Sequence, residues 1–426
     1  MAKAGVRLIK TADRPGVSDS GSASSGLLVS HDTAVVTSES GPRSELVTSF
    51  ERLEELSAEW DRLWQTDPKA EIFQSFAWAR AWWQSFGAGL KLCTPVVYER
   101  NEVVLILPLV QRADTLGFLG APQADYCDVL CAEKRTPELL AVALRVLLQF
   151  SPAWKECVFQ NLPPHARITQ HWPELPREFR QLLQPVFASH SPTILFEGEK
   201  KQILDPLLQK KHVRRRLNKL GKAGKVRFRH IETRTEAQRH LTQFFQCQRR
   251  RCALLAKTSC FEEPQMRRFM GALLEQLDLC RDLRFGVLEL DGCPLAWSFA
   301  FHTKGKFVFY QQTFDLDAAE YNPGEVLWYY LLLYAKENVD REFDFVRGDE
   351  FFKSRFANHT RQLFNLYFER PGTQGRLRRL WRAAQDKFNR IEGRIGRVAR
   401  RHEAAVHLFR SLRVWRRDVR RRIQDL

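Results

Sequence analysis

The chain has no C-x-x-C pair. Its nine cysteines stand singly, and no His-x-x-x-His follows the closer couples Cys127/Cys131 or Cys247/Cys252. That pattern points away from a disulfide framework or a zinc motif and towards a reduced, intracellular chain with packing cysteines. No apolar run approaches the roughly 18–20 residues needed to span a bilayer, and the longest, 103–110 and 327–335, read as core elements. Lys3, Arg7 and Lys10 open the chain with no apolar run behind them, which argues against a cleaved signal peptide. Acids are scarce in two places. Between 200 and 230, Asp205 alone faces 12 Lys or Arg, and residues 371–426 set 5 acids against 17 basic residues. The net charge is +17, so the remainder is mildly acidic, and two discrete basic surfaces call for an anionic partner.

What is present suffices for two ordinary domains with appendages: 426 residues, 44% of them hydrophobic and 12% aromatic. Residues 1–44 are rich in Ser, Thr and Gly and read as a disordered leader. Phe50, Leu53, Leu56, Trp60 and Leu63 then recur at helical spacing, and a second helix over 76–86 carries Trp78, Trp82 and Trp83. A tryptophan cluster can stack sugars, but at this spacing it reads as core. Strands over 92–99 and 103–110 follow as a hairpin, with Pro108 marking an edge or a bulge. Asp125 and Asp128 flank Tyr126 and could bind a cation or supply a base; without a third ligand, a turn with capped ends is favoured. A helix (137–150), a strand (157–161) and a helix around 177–186 complete a first unit, 45–190.

The second unit, 191–370, opens with a strand over 193–196 and a very basic helix over 203–222. Helices over 236–255 and 264–279 follow, then strands over 284–290, 295–301 and 306–313 joined by the turn pairs Asp291-Gly292 and Lys304-Gly305. Both units run helices, antiparallel meander, helix, strand. The expected fold is therefore α+β, a tandem duplication of one unit. From Leu377 to Leu412 apolar residues alternate steps of four and three on an Arg-rich helix, so 371–426 reads as a basic amphipathic tail. Self-packing, a partner helix and an anionic membrane surface are all open to residues 374–426.

The stretch 284–358 organises the second unit. Asn322 stands at the N-cap of a helix, Pro323 at its first position and Glu325 at the third, and Val326, Leu327, Tyr330, Leu331 and Tyr334 follow as an apolar stripe. The strand 343–346 then breaks into Arg347-Gly348-Asp349-Glu350, with Lys353 and Arg355 behind. A strand–helix–strand unit ending in a charged loop is a common way to present a site.

Asp344-Phe345, Arg347-Gly348, Glu350 and Lys353 resemble the DF-x-R-G-x-E-x-x-K ending of the CelD/BcsL-type acyltransferases, tandem GNAT-like proteins of bacterial cellulose and exopolysaccharide systems related to the FemABX transferases. Phe73-Gln74-Ser75, Trp78, Trp83, the 106–109 strand, Asp125-Tyr126-Cys127-Asp128 and the Arg-rich helix at 214–219 agree with that family in order, over roughly 46–370. The resemblance implies two GNAT-like domains and acyl transfer from acetyl-CoA or another acyl-CoA, without a metal, to an amine or hydroxyl of a small-molecule or saccharide acceptor. A GNAT-type site would hold the pyrophosphate on free amides at a helix start, here 322–326 (Asn322, Pro323, Gly324, Glu325, Val326). This loop departs from the usual Q/R-x-x-G-x-G/A pattern: one Gly, a Pro without N–H, and a nearby acid.

The strand before that helix would splay to pair with pantetheine through Gln311 and Gln312, and a backbone N–H would polarise the thioester carbonyl. Tyr310 is the expected proton donor to the thiolate, Asp349 or Glu350 the base, and Arg347 and Lys353 substrate contacts; the alternative makes Tyr310 a core residue and the 347–353 loop a salt-bridged corner. Two further functions remain open on the same residues: FemABX-like aminoacyl transfer from tRNA through the 210–222 helix, and a non-catalytic scaffold of a membrane-associated polysaccharide complex. The expected location is cytoplasmic, with peripheral attachment to the inner membrane as an option.

Overall fold

In the computed structural model, residues 27–30, 33–36, 42–131, 135–150, 154–348, 350, 353, 355–380 and 382–383 are described. The chain forms two compact units, Met1–Tyr367 and Phe368–Leu426. Within the second, residues 373–380 are helical, and the buried Glu369 accepts a bond from Arg382 Nη1 at 2.5 Å. Most of the heptad seam lies outside the described residues.

The first unit begins earlier than expected. Two aliphatic runs inside the presumed leader form strands β1 (Leu27–Ser30) and β2 (Thr33–Val36), paired antiparallel to each other and, through β2, to β3 (Arg43–Val47). Leu27-Leu28-Val29 and Val35-Val36 carry high β propensity, which the Ser and Gly content around them hides. Helices α1 (Phe50–Glu55), α2 (Ser57–Thr66) and α3 (Phe76–Phe86) follow, with Trp60, Trp78 and Trp82 buried as core. Next come β4 (Lys91–Leu92), β5 (Thr94–Glu99), β6 (Glu102–Ile106), β7 (Leu109–Arg112), β8 (Thr115–Phe118) and β9 (Leu130–Cys131). The expected strand 103–110 is in fact two. Pro108 lacks the N–H a ladder needs, and the chain leaves one sheet at β6 and enters the other at β7. Helix α4 (Thr136–Phe150), β10 (Glu156–Leu162) and the short helices α5 (Arg167–His171) and α6 (Arg177–Arg180) lead to β11 (Leu183–Leu195). The helix expected around 177–186 stops after four residues, ahead of Pro185, which disfavours helix before it, and Leu183 onward is extended.

The expected helix 203–222 is likewise divided into α7 (Lys200–Leu208) and α8 (Lys211–Ala223), with Lys210 extended between them. Strand β12 (Val226–His230), helices α9 (Arg234–Leu254) and α10 (Pro264–Gln276), and strands β13 (Leu283–Leu290), β14 (Cys293–Thr303) and β15 (Lys306–Phe314) precede a 3₁₀ turn, Leu316–Tyr321. Helix α11 (Pro323–Asn338), β16 (Glu342–Asp344) and β17 (His359–Glu369) close the sequence of elements. Both glycine turns form: Asp291 and Lys304 take left-handed φ of 52° and 50° ahead of Gly292 and Gly305, the conformation a two-residue hairpin requires.

Among the described residues the strands build two sheets, one of order β1-β2-β3-β5-β6-β9 and a longer one of order β12-β13-β14-β15-β16-β11-β17-β10-β8-β7-β4. The last strand of each half sits among those of the other, β11 beside β16 and β17 beside β10. The halves also repeat one detail. In the first, β8 runs parallel to β10 over three residue pairs, from Thr115↔Glu156 to Gly117↔Val158; in the second, β15 runs parallel to β16 over three, from Lys306↔Glu342 to Val308↔Asp344. Beyond those pairs the strands part. Parallel strands need a crossover, supplied by α4 and α11, and the core of the second half packs Leu327, Trp328, Leu331 and Leu332 of α11 on Phe307, Phe309 and Phe343.

Candidate active site

Where β15 leaves β16, a cleft of about 200 Å³ opens at the start of α11. Asn322 occupies the N-cap with φ 53° and ψ 52°, and its side chain caps nothing; the backbone amides of Glu325 and Val326 turn back to its carbonyl at 3.0 and 3.3 Å. The expected side-chain cap is therefore absent; Pro323 has no N–H and the next two amides after Gly324 turn back, so Gly324 supplies the free amide at the cleft that it and Asn322 line. A Cβ on Gly324 would stand 3.3 Å from the Phe314 ring, tighter than ordinary contact. Gln312 lines the floor, its Oε1 accepting from Trp328 Nε1 at 2.8 Å.

The cleft is cationic despite Glu325. That carboxylate is ion-paired with Arg216 and lies 2.9 Å from His212 Nε2, so its charge is already matched. Arg355 Nη2 lies 3.1 Å from the same imidazole nitrogen, and Lys210 Nζ donates to the Arg355 carbonyl at 2.8 Å. Burial and then the positive neighbours Arg355 and Arg216 pull the His212 pKa down, and burial and Arg355 do the same to Lys210 and Arg216. Two guanidiniums, Arg216 and Arg355, thus line the cleft with one acid, an arrangement that favours a bound anion.

The opposite face of β15 carries a second group. A bulge between Phe299 and Ala300 leaves Tyr310 without a partner on β14. The Tyr310 ring packs against Trp78 at 5.6 Å and its hydroxyl donates to the Gln123 carbonyl at 3.1 Å, while burial drives its pKa well up and keeps it protonated. Two residues on from Gln123 is Asp125, buried, its Oδ1 accepting from Arg347 Nε at 2.9 Å. Burial pushes the Asp125 pKa up to about 7, against the pull of Arg347 and Lys353. Arg347 also donates to the Pro122 carbonyl at 2.7 Å, and the buried Lys353 donates to the Arg347 carbonyl at 2.9 Å.

Backbone strain fixes this loop. Val346 is β-branched yet has φ 54°, a costly conformation, held by its N–H donating to Asp344 Oδ1 at 2.8 Å. Gly348 has φ 134°, and a Cβ there would fall 2.2 Å from the Glu350 carboxylate. Asp344 in turn accepts from the Tyr126 hydroxyl at 2.8 Å and Arg361 Nη1 at 3.1 Å. The Asp-Phe of the motif is therefore the pin of the loop. Beside Arg347 lies a larger cavity, about 650 Å³, between the parted β8 and β10, to which Trp82, Gln160, Asn161 and Asn365 contribute. Asn161 is left-handed at φ 54°, its N–H bonded to Asn365 Oδ1 at 2.9 Å.

Of the residues singled out from sequence, Gln312, Asn322, Gly324 and Glu325 meet at the cleft, joined by Arg355 and Phe356 from beyond the 347–353 loop. Pro323 and Val326 are buried in the helix base, and Gln311 is half-buried and does not line the cleft. Tyr310, Arg347 and Lys353 gather around Asp125 instead. Glu350 is 54% exposed and ion-paired with Lys353 at 2.9 Å; Asp349 lies outside the described residues. Asp128, for its part, caps α5, its carboxylate accepting the amides of Arg167 and Ile168 at 2.6 and 3.1 Å. Sequence reasoning undervalued Asp125, Arg216 and Arg355. Among the described residues no cluster of three or more His, Cys, Asp or Glu could hold a metal ion.

A meander, a bulged fourth strand, a crossover helix with an open start and a parting fifth strand define a GNAT-like fold. Residues 209–354 match the family model of the acetyltransferase (GNAT) domain. The chain is similar to the crystal structure of FemX, at 10% identity and a TM-score of 0.52, over 74% of this chain and 96% of that one. It is also similar to the C-terminal (DUF2156) domain of a putative lysylphosphatidylglycerol synthetase from Agrobacterium fabrum (12%, TM-score 0.49, 77% and 95%) and to a tandem GNAT protein of the clavulanic acid biosynthesis pathway (11%, TM-score 0.42, 78% and 99%). No curated protein matches the chain. The fold is thus GNAT-like and similar to that of FemX.

Proposed function

We infer that this chain transfers an acyl group from an acyl-CoA to an amine or hydroxyl. The observation that carries the reading is the cationic cleft at the Gly324 start of α11, beside the parted β15 and β16. Arg216, Arg355 and the helix end suit a pyrophosphate, and the free edge of β15 suits the pantetheine amides. In the reaction the acceptor's N or O bonds to the acyl carbon, its proton passes to the Asp125 carboxylate, the C–S bond breaks, and Tyr310 protonates the departing thiolate. Asp125 is preferred to Glu350 as base because its pKa is near working pH and it lies buried beside Tyr310. The cavity beside Arg347 would take the acceptor. A saccharide acceptor, as in CelD/BcsL-type systems, is supported by motif order alone.

Isothermal titration with acetyl-CoA tests this. A dissociation constant between about 1 μM and 1 mM is expected, weakened about 10²- to 10⁴-fold in Arg216→Ala/Arg355→Ala, where two charged hydrogen bonds are lost; no heat with the unaltered chain at millimolar ligand overturns the reading. Gly324→Val should also weaken binding about tenfold or more by crowding the cleft, with the melting temperature within a few degrees of the parent. Aminoacyl transfer from tRNA is the second reading, favoured by the acid-free basic helix α8; a salt-insensitive absence of tRNA retention in a gel removes it.

A further inference from the structure

The outer face of α8 takes no part in the cleft. Lys211, Arg214, Arg215 and Lys222 recur there at helical steps, all exposed, and Lys225 and Arg227 carry the row onto β12. From Pro206 to His230 the sequence contains no Asp or Glu. The helix is anchored by Val213 and Leu220, which are buried, so its apolar side is already committed. A second feature is the end of α9. Residues 253–258 are all exposed, and the adjacent Leu254 and Leu255 protrude with 71% and 64% of their surface in solvent, followed by Lys257. Isolated exposed leucines are commonplace, but two at one apex form a patch.

Both features reach the 3₁₀ turn that precedes α11. Lys219 Nζ donates to the Glu320 carbonyl at 2.9 Å from the α8 side. From the α9 side Arg250 pairs with Asp317 at 2.9 Å, and the Arg251 guanidinium lies 4.1 Å from the centre of the Phe314 ring, which lines the cleft. The cation row and the leucine apex therefore flank one rim of the cleft. We propose that this rim docks on an anionic lipid bilayer, with the α8 row over the headgroups and Leu254-Leu255 at the acyl boundary. A nucleic acid would satisfy the cations but leave two leucines in water. A headgroup layer accepts both. The mouth of the cleft then opens at the membrane surface, whichever acyl group is transferred.

The test is amide hydrogen exchange of the full chain with vesicles of phosphatidylcholine containing about a third phosphatidylglycerol, against pure phosphatidylcholine. Slower exchange is expected at 253–258 and along 211–227 with the anionic vesicles only, and is lost in high salt. Each basic residue contributes roughly fivefold near such a surface, so Lys211→Glu/Arg214→Glu/Arg215→Glu should raise the lipid concentration for half-protection at 253–258 by more than about a hundredfold. Leu254→Ser/Leu255→Ser should raise it about tenfold. Protection confined to the basic tail, protection nowhere, or protection of α8 by RNA with vesicles giving none each overturns the proposal. Failure of acetyl-CoA binding would leave the vesicle result unchanged, so the two readings fail separately.

Discussion

Asp125→Asn should lower the rate of free CoA release from acetyl-CoA by about 10²- to 10⁴-fold, the range lost when a positioned general base is removed. The size follows from the site. Asp125 is the buried carboxylate on the Tyr310 face of β15, and burial pushes its pKa up to about 7. A base must be unprotonated to accept a proton, so kcat/KM in the parent should fall tenfold per unit as the pH drops below about 7 and level off above it. The Asn variant should lose that limb and keep only a low, flat rate. Folding provides the control. A carboxyl raised from 3.8 to about 7 in the folded state contributes stability below pH 4 that is lost as the pH rises through about 7. At pH 8 its charge is a penalty, partly offset by Arg347, so Asp125→Asn should melt no lower than the parent there. A variant that keeps the acid limb, or whose loss of rate tracks loss of melting temperature, would show that Asp125 is not the base.

The difference between Asp125 and Glu350 shows what a sequence can and cannot convey. Local rules were legible: the Pro323 helix start, the hairpin turns at Gly292 and Gly305, and the duplicated order of elements follow from propensity and periodicity. The motif ending in Lys353 was legible too, but its roles were not. Asp344 reads as one residue of a short strand ahead of the charged loop, and nothing local shows that it is wholly buried and tied to Tyr126, more than two hundred positions earlier. Arg347 reads as a substrate contact, while its nearest anion is Asp125. Glu325 reads as a charge hostile to a phosphate, and Arg216, brought over by α8, neutralises it. In each case the missing information is the charge that tertiary structure places opposite, which spacing along one chain does not encode. The same holds for β11 and β17: nothing local says that each will insert among the strands of the other half.

Lys306→Met should cost about 3–5 kcal/mol at pH 7, the loss found when one partner of a buried ion pair is removed. Lys306 is 4% exposed, with Nζ 2.6 Å from Glu71 Oε1 and 3.2 Å from Glu342 Oε1. Burial alone would lower its pKa, but Glu71 and Glu342 more than offset that and raise it. Glu71 shows the reverse: burial would raise its pKa, and Lys306 and His165 together hold it far below the usual carboxylate range. The signs set the pH profile. In the parent, Lys306 contributes stability below its unfolded pKa that is lost only in strong alkali, and Glu71 contributes stability above its own that is lost as acid protonates it. Methionine leaves Glu71 with His165 and the Gln74 amide, and Glu342 with Arg361. Glu71 should then take up a proton more readily, so the deficit of the variant should shrink between pH 7 and pH 5 while the parent changes little. Adding Glu71→Gln should recover part of the loss at pH 7. Because Glu71 belongs to the first half and Lys306, Glu342 and Arg361 to the second, urea unfolding of Lys306→Met should also separate into two transitions where one is expected of the parent. A single transition with an unchanged midpoint would mean that the network is solvated and holds nothing together.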